Sequence, residues 1–170
     1  MLADLIDTLV EMYGDGITRF MIENQEFGKL SSAALLPLLP RLYMIKLSNL
    51  KIVEDPKAPN EESPLTQALL SFKADETRMQ KSTLLYLHLS KMNLSKALPH
   101  LLAILESQIQ SLISIDLSWT NLDAKCLAEF LGGYVETVDA LRIVSPLRCL
   151  ALAYNVVGKG ASSRQLVGKL

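Results

Sequence analysis

Leucine-rich segments recur along the chain, and this internal repeat limits the possible folds more than any other property of the sequence. Residues 84–94 and 112–122 both read LxxLxLSxxxL, and the equivalent residues Leu89 and Leu117 lie 28 positions apart. Related segments begin near residues 42 and 147, and a weaker one begins near residue 17. Self-similarity at a period of roughly 20–50 residues determines the architecture, because each copy forms the same supersecondary unit.

Each copy changes its hydrophobic period partway through. In LxLxL the apolar residues alternate with polar ones, as in a half-buried strand. After the turn the apolar residues recur at helical spacing, from Leu94 to Leu105 in one copy and from Leu122 to Leu131 in the next. Leucine makes up 34 of the 170 residues, against four Phe and one Trp, so the core must be built from leucine. The pattern predicts strand–turn–helix units that stack on one another to bury their apolar faces.

The repeat resembles the leucine-rich repeat family, particularly its ribonuclease-inhibitor-like subtype, over residues 17–157. The resemblance implies an α/β fold, namely a leucine-rich repeat solenoid with a curved parallel sheet on the concave side and helices on the convex side. We expect a single leucine-rich repeat domain over residues 1–170, with an N-terminal capping helix over 1–14 and repeats starting near 17, 42, 84, 112 and 147. The family usually carries Asn at the ninth repeat position, where its side chain ties the turn to neighbouring backbone. Only Asn155 matches here.

Uneven spacing between the copies locates two insertions. An acidic, proline-rich stretch over 53–64 and a polar stretch over 73–82 separate the second copy from the third. The segment 132–146 separates the last two copies, and its apolar residues predict a short extra helix after a break at Gly132 and Gly133. Insertions in repeat proteins map to surface loops, and they are either neutral variation or functional elements. The sequence leaves both interpretations open.

In this architecture the residues between the strand leucines point to the concave surface. Trp119 and Tyr154 occupy equivalent positions just beyond two of the strands. Exposed Trp and Tyr are enriched at binding hot spots, although Trp119 could instead pack over the neighbouring turn. The candidate partner-binding residues of the concave face are Lys46, Tyr86, His88, Asp116, Trp119 and Tyr154.

Residues suited to catalysis or metal binding are few. His88 and Asp116 occupy equivalent positions of consecutive copies, with two serines beside them. These residue types are those of a Ser/His/Asp catalytic triad. An open sheet provides neither an oxyanion site nor an enclosed pocket, so a surface ion pair is the favoured interpretation and a hydrolase the remote one. Cys126 and Cys149 lack the spacing of a zinc site, and no phosphate-binding glycine motif occurs. We therefore expect a protein that is not an enzyme and that holds no cofactor or metal.

Net charge, cysteine count and hydropathy limit the kinds of partner that the protein is expected to bind and the compartment in which it is expected. Lys and Arg total 17 against 18 Asp and Glu, so the net charge of −1 offers no global basic field for nucleic acid. Two cysteines are too few for a disulfide scaffold and fit a reducing compartment. The sequence shows neither a secretory leader nor an apolar run of the roughly 20 residues that a membrane span requires. We expect a cytoplasmic protein with no nucleic-acid partner and no membrane span.

Two functional hypotheses from different classes follow. The first is a non-enzymatic protein–protein interaction module, a scaffold or structural subunit of a larger intracellular assembly such as a cytoskeletal or axonemal complex. The resemblance implies this role, because this repeat subtype serves mainly as a recognition surface. The alternative is a regulator of a small GTPase, similar to GTPase-activating proteins, with Arg19 as the one concave arginine.

The two ends of the repeat array carry separate expectations. A repeat protein must cover the apolar faces of its terminal units. Near the N-terminus, a helical apolar stripe suits a cap over the first repeat, and it consists of Leu2, Leu5, Ile6, Leu9 and Met12. After Val157 few apolar residues remain, so we expect the C-terminal end to be a docking surface for a protein partner.

Overall fold

The computed structural model describes residues 2–13, 16–35, 37–53, 84–94 and 97–155. A strand begins each of the five leucine-rich copies, because alternating apolar residues suit a sheet with one buried face. In chain order the strands are β1 (Arg19–Glu23), β2 (Glu26–Phe27), β3 (Met44–Ser48), β4 (Lys51–Ile52), β5 (Tyr86–Ser90), β6 (Ser114–Asp116) and β7 (Cys149–Ala151).

The strands form two parallel sheets. The larger has five strands in the order β1-β3-β5-β6-β7, so its strands are neighbours in the same sequence in which their copies occur along the chain. The short strands β2 and β4 form the second sheet, just beyond the ends of β1 and β3. The predicted α/β fold with a parallel sheet is confirmed.

One helix precedes the first strand, and the other described helices lie between strands. The helices are α1 (Leu2–Tyr13), α2 (Lys29–Leu35), α3 (Leu98–Gln108) and α4 (Ala124–Leu141), with a 3₁₀ turn at Leu39–Arg41. Helix α4 begins at a side-chain cap, since the Asp123 carboxylate accepts a hydrogen bond of 2.7 Å from the Cys126 N–H. This hydrogen bond holds the pKa of Asp123 below its ordinary value. The helix ends at Arg142, which adopts a left-handed conformation.

The core lies between one face of the five-stranded sheet and the helices. Alternate strand residues such as Ile45, Leu87 and Ile115 belong to the same buried cluster as Leu101 of α3 and Leu127 of α4. The opposite face of the sheet is not covered by these helices, and we call it the open face. Its residues are Arg19, Met21 and Glu23 of β1, Met44 and Lys46 of β3, Tyr86 and His88 of β5, Ser114 and Asp116 of β6, and Cys149 and Ala151 of β7.

The alternating pattern predicts that Leu87, Leu89, Ile115, Leu117, Leu150 and Leu152 are almost fully buried, and this prediction is wrong for the last copy. Leu87 and Leu117 are inaccessible to solvent, whereas Leu150 and Leu152 are only half-buried. Among the described residues, β7 lies at an edge of the sheet and has a neighbouring strand on one side only.

The predicted break at Gly132 and Gly133 is also wrong. Helix α4 continues through both glycines to Leu141, so no separate extra helix follows them. A Cβ on Gly133 would lie 2.9 Å from Cδ2 of Leu102 in α3. The glycine therefore permits the close approach of two helices and does not mark the end of one.

The N-terminal helix exists as predicted, but only part of its predicted apolar stripe is buried. Ile6 is the side chain of α1 that is fully buried, with Val10 partly buried beside it. Leu5 and Met12 are 56% and 63% exposed. Helix α1 packs mainly against α2. This contact covers one side of the helix and leaves Leu5 and Met12 exposed.

Three predicted features lie outside the described residues. They are the acidic stretch beyond Val53 (residues 54–64), the polar stretch over 73–82, and the C-terminal end after Asn155, where a docking surface is expected.

Candidate functional site

Strand pairing places the predicted binding residues side by side on the open face. Lys46 pairs with His88, and His88 pairs with Asp116, across three consecutive strands. Tyr86 lies between Met44 and Ser114 in the neighbouring row. The rows inferred from the repeat are therefore confirmed, because equal spacing in each copy places equivalent residues opposite each other.

The structure does not assemble the Ser/His/Asp set. His88 Nε2 lies 3.1 Å from Ser114 Oγ, and an oxygen of Asp116 accepts a hydrogen bond of 2.9 Å from the Ser118 backbone N–H. Ser90 donates its hydroxyl hydrogen bond to Ser48. No ion pair joins His88 to Asp116, although both lie within the described ranges. His88 thus contacts a serine, but it lacks the carboxylate contact that orients the histidine in a Ser/His/Asp triad.

The charged residues at the β1 side of the open face are also engaged. Lys46 forms an ion pair with Glu23 of the neighbouring strand. The hydrogen bond from Lys46 and its charge hold the pKa of Glu23 below its ordinary value, with a smaller electrostatic contribution from Lys91. Arg19 donates a hydrogen bond to the Tyr43 hydroxyl and lies over the Tyr43 ring, with Cζ 5.1 Å from the ring centroid.

One residue just beyond each strand of the main sheet adopts a left-handed backbone conformation, with φ between 52° and 60°. In each of the first four, the N–H donates to a carbonyl of the next turn, as Lys91 does to Ser118 at 3.0 Å. Residues with a Cβ are disfavoured in this conformation, and bulky ones most of all. We call this row the left-handed column, and it consists of Asn24, Asn49, Lys91, Trp119 and Tyr154.

Side chains of the left-handed column contact each other in pairs. Asn49 donates a hydrogen bond of 2.7 Å from its amide to the amide oxygen of Asn24. Trp119 stacks on Tyr154 with ring centroids 4.2 Å apart and an angle of 18° between the planes. Trp119 is nevertheless 52% exposed and Tyr154 71% exposed. Trp119 thus packs over the neighbouring turn and still presents aromatic surface to solvent, and its role in binding stays a prediction.

A buried hydrogen-bond network holds the two aromatic turns in place. Asn155 accepts hydrogen bonds from the N–H and the hydroxyl of Thr120 and from the N–H of Leu122. Its amide donates to the carbonyls of Leu117 and Leu152. Thr120 itself is completely buried. Asn155, the one match to the asparagine of the repeat pattern, therefore ties the turn after β7 to the turn after β6.

A groove of about 690 Å³ opens beside the left-handed column. Its residues follow β3, β5 and β6, and Asn49, Lys91, Met92, Trp119 and Asn121 are among them. Asn49 and Lys91 occupy positions equivalent to Trp119 in their copies, but neither they nor Asn121 were among the predicted binding residues. Equal repeat spacing aligns Asn49 and Lys91 with Trp119, whereas the left-handed backbone of these residues follows from no sequence pattern.

Within the described part of the chain, no group of three or more His, Cys, Asp or Glu side chains is placed to hold a metal ion. Cys149 is exposed on the open face, and Cys126 is half-buried. Burial, followed by the nearby Asp123 carboxylate, raises the pKa of the Cys126 thiol. None of the described helices is both long enough and apolar enough to cross a membrane.

These features define an α/β protein with a parallel five-stranded sheet, one open sheet face, and an aromatic pair beside a groove at the carboxyl ends of the strands. No protein-family model matches the chain. No curated protein matches it either.

Proposed function

We propose that this chain is a non-enzymatic protein–protein interaction module, built as a leucine-rich repeat solenoid of the ribonuclease-inhibitor-like subtype. It serves as a scaffold or structural subunit of a larger intracellular assembly, of the cytoskeletal or axonemal kind. The sequence repeat supports this proposal, together with the chain-ordered parallel strands and the side-by-side rows on the open face. In the proposed solenoid, the open face is the concave surface.

The observation that carries the proposal is the stacked pair of Trp119 and Tyr154. Both rings remain at least half exposed, and both residues have a strained left-handed backbone. Strained conformations in bulky residues persist only where the surroundings enforce them, and they concentrate at functional sites. The hydrogen bonds of Asn155 hold the turns that carry Trp119 and Tyr154 in this conformation. A rigid, exposed aromatic surface is the type of residue cluster that dominates protein interfaces.

The proposal is tested by affinity purification of the tagged chain from its native cells, with the amount of each recovered partner measured. Tagged wild type should recover a stoichiometric set of proteins, identified by mass spectrometry. Trp119→Ala should weaken binding of the recovered partner by about 2 kcal/mol, as expected for an interface hot spot. Leu30→Ala is the matched control, because Leu30 is an exposed apolar residue of α2, far along the chain from the aromatic pair.

Equal recovery by wild type and Trp119→Ala would contradict the proposed role of the aromatic pair. A GTP hydrolysis assay with candidate small GTPases addresses the other functional class, and stimulation of hydrolysis by the chain would contradict the scaffold proposal. Arg19, the arginine on which that class depends, is held by Tyr43.

A further inference from the structure

The groove beside Trp119 has an aromatic wall at one end. Trp119 follows β6 and stacks on Tyr154, which follows β7. The other groove residues follow β3, β5 and β6. The groove therefore lies on the side of Trp119 away from Tyr154, and a bound group can contact the indole without displacing the stack. Leu50 and Met92 are almost fully buried and form an apolar part of the groove lining.

The charge in the groove comes from Lys91. Lys46, Lys51 and Lys125 form ion pairs with Glu23, Glu26 and Glu129, respectively. Among the residues that the structure describes, Lys91 forms no ion pair, and its electrostatic effect on Glu23 is smaller than that of Lys46. Lys91 thus provides a cation at the groove whose charge is not neutralised by a direct partner.

The groove also contains a side-chain amide that is available for hydrogen bonding. Asn121 lines the groove and makes no hydrogen bond within the described part of the chain. An amide can donate to a carbonyl and accept from an N–H, so it can pair with both groups of a peptide backbone. A volume of about 690 Å³ is in the range of clefts that bind small molecules and short peptide segments.

We propose that this groove binds an acidic peptide segment of a partner protein, with a carboxylate on Lys91 and an adjacent apolar or aromatic side chain on Trp119. The proposal rests on the proposed interaction function and identifies the kind of segment that the partner presents. Lys91, which has no ion-pair partner among the described residues, favours peptides that carry a carboxylate. The indole of Trp119 favours an apolar or aromatic side chain next to that carboxylate. Asn121 forms hydrogen bonds with the peptide backbone between these two side chains.

The experiment is selection of random dodecapeptides displayed on phage against the full chain, followed by affinity measurement of the enriched peptides. The chain contains one Trp, so quenching or a spectral shift of Trp119 fluorescence reports binding by Trp-free peptides at the groove. We expect enrichment of peptides with Asp or Glu next to an apolar residue. Their affinity should fall as salt is raised, because the charge contact is exposed to solvent.

Two variants test the contacts. Lys91→Gln should weaken binding of the acidic peptides about fivefold, the upper range for an exposed ion pair. Lys125→Gln is the matched control, since Lys125 is an exposed lysine on α4 that does not line the groove, and its affinity should equal that of the wild type. Thermal unfolding of each variant confirms that the fold is retained.

Several results would overturn the proposal. Enrichment of basic or uncharged peptides would exclude the carboxylate contact, and so would equal binding of acidic peptides by wild type and Lys91→Gln. Sedimentation that shows a dimer, lost in Lys91→Gln, would assign the groove to a second copy of the chain. If Trp119→Ala loses the native partner while Lys91→Gln retains it fully, the interaction module stands and the acidic segment does not.

Discussion

Lys91 has a backbone φ of 55° although its side chain is exposed and lines only the open groove. The left-handed conformation destabilises a residue with a Cβ by about 1–2 kcal/mol, whereas glycine adopts it freely at a cost of about 0.5–1 kcal/mol in unfolded-chain entropy. Lys91→Gly should therefore raise the free energy of unfolding by about 0.5–1 kcal/mol, measured by urea denaturation.

Glu136→Gly provides the control for this prediction. Glu136 is exposed in the interior of helix α4, so its replacement brings the flexibility of glycine without relief of strain. The free energy of unfolding should fall by about 0.5–1 kcal/mol. If both glycine variants are destabilised equally, the left-handed geometry at Lys91 is wrong.

Asn155 should contribute more to stability than any other polar side chain in the described turns. Replacement by Ala leaves the N–H groups of Thr120 and Leu122 and the carbonyl of Leu152 without their side-chain partner. Unsatisfied buried polar groups are destabilising, so Asn155→Ala should lower the free energy of unfolding by about 2–3 kcal/mol. Asn155→Asp keeps the acceptor but loses the donor, and an intermediate loss in urea denaturation would separate the two halves of the network.

At the scale of elements, Gly133 determines how closely α3 and α4 pack. A Cβ at this position would meet Leu102 at 2.9 Å, but the atom it meets is at the end of a flexible side chain. Gly133→Ala should therefore be nearly neutral, because helix propensity improves while Leu102 shifts. Gly133→Leu exceeds the available space and should lower the free energy of unfolding by about 1–3 kcal/mol.

A double-mutant cycle checks this explanation. Replacing Leu102 by Ala removes the atoms that the larger side chain overlaps, so the double variant Leu102→Ala with Gly133→Leu should be more stable than additivity predicts. Strict additivity in thermal unfolding would mean that the two positions do not contact each other, contrary to the structure.

The elements also show which features the sequence could reveal. Repeat spacing was sufficient to place Leu87 opposite Ile115, because register follows from equal spacing in each copy. The continuity of α4 through Gly132 and Gly133 was not predictable, since local propensity argues for a break and the reason against it is a contact with another helix. The stack of Trp119 on Tyr154 depends on a positive φ at both residues, which the residue types themselves disfavour.

For the molecule as a whole, stability should decrease from the centre of the sheet toward β7. Leu117 is fully buried beside β6, whereas Leu152 is half-buried beside the edge strand. Leu117→Ala should lower the free energy of unfolding by about 2–5 kcal/mol, and Leu152→Ala should lower it by clearly less. Urea denaturation of both variants measures the difference, and a larger loss at Leu152 would show that the edge is covered.

The order of the strands has a mechanical consequence. The first and last strands of the described chain lie at opposite edges of the sheet, and every intervening strand pairs with the copies before and after it. Tension applied between β1 and β7 therefore acts across the sheet and separates one pair of strands at a time, beginning at an edge. The chain should lengthen in successive steps of about one copy each under force, so that a pull between its two edges extends the protein gradually.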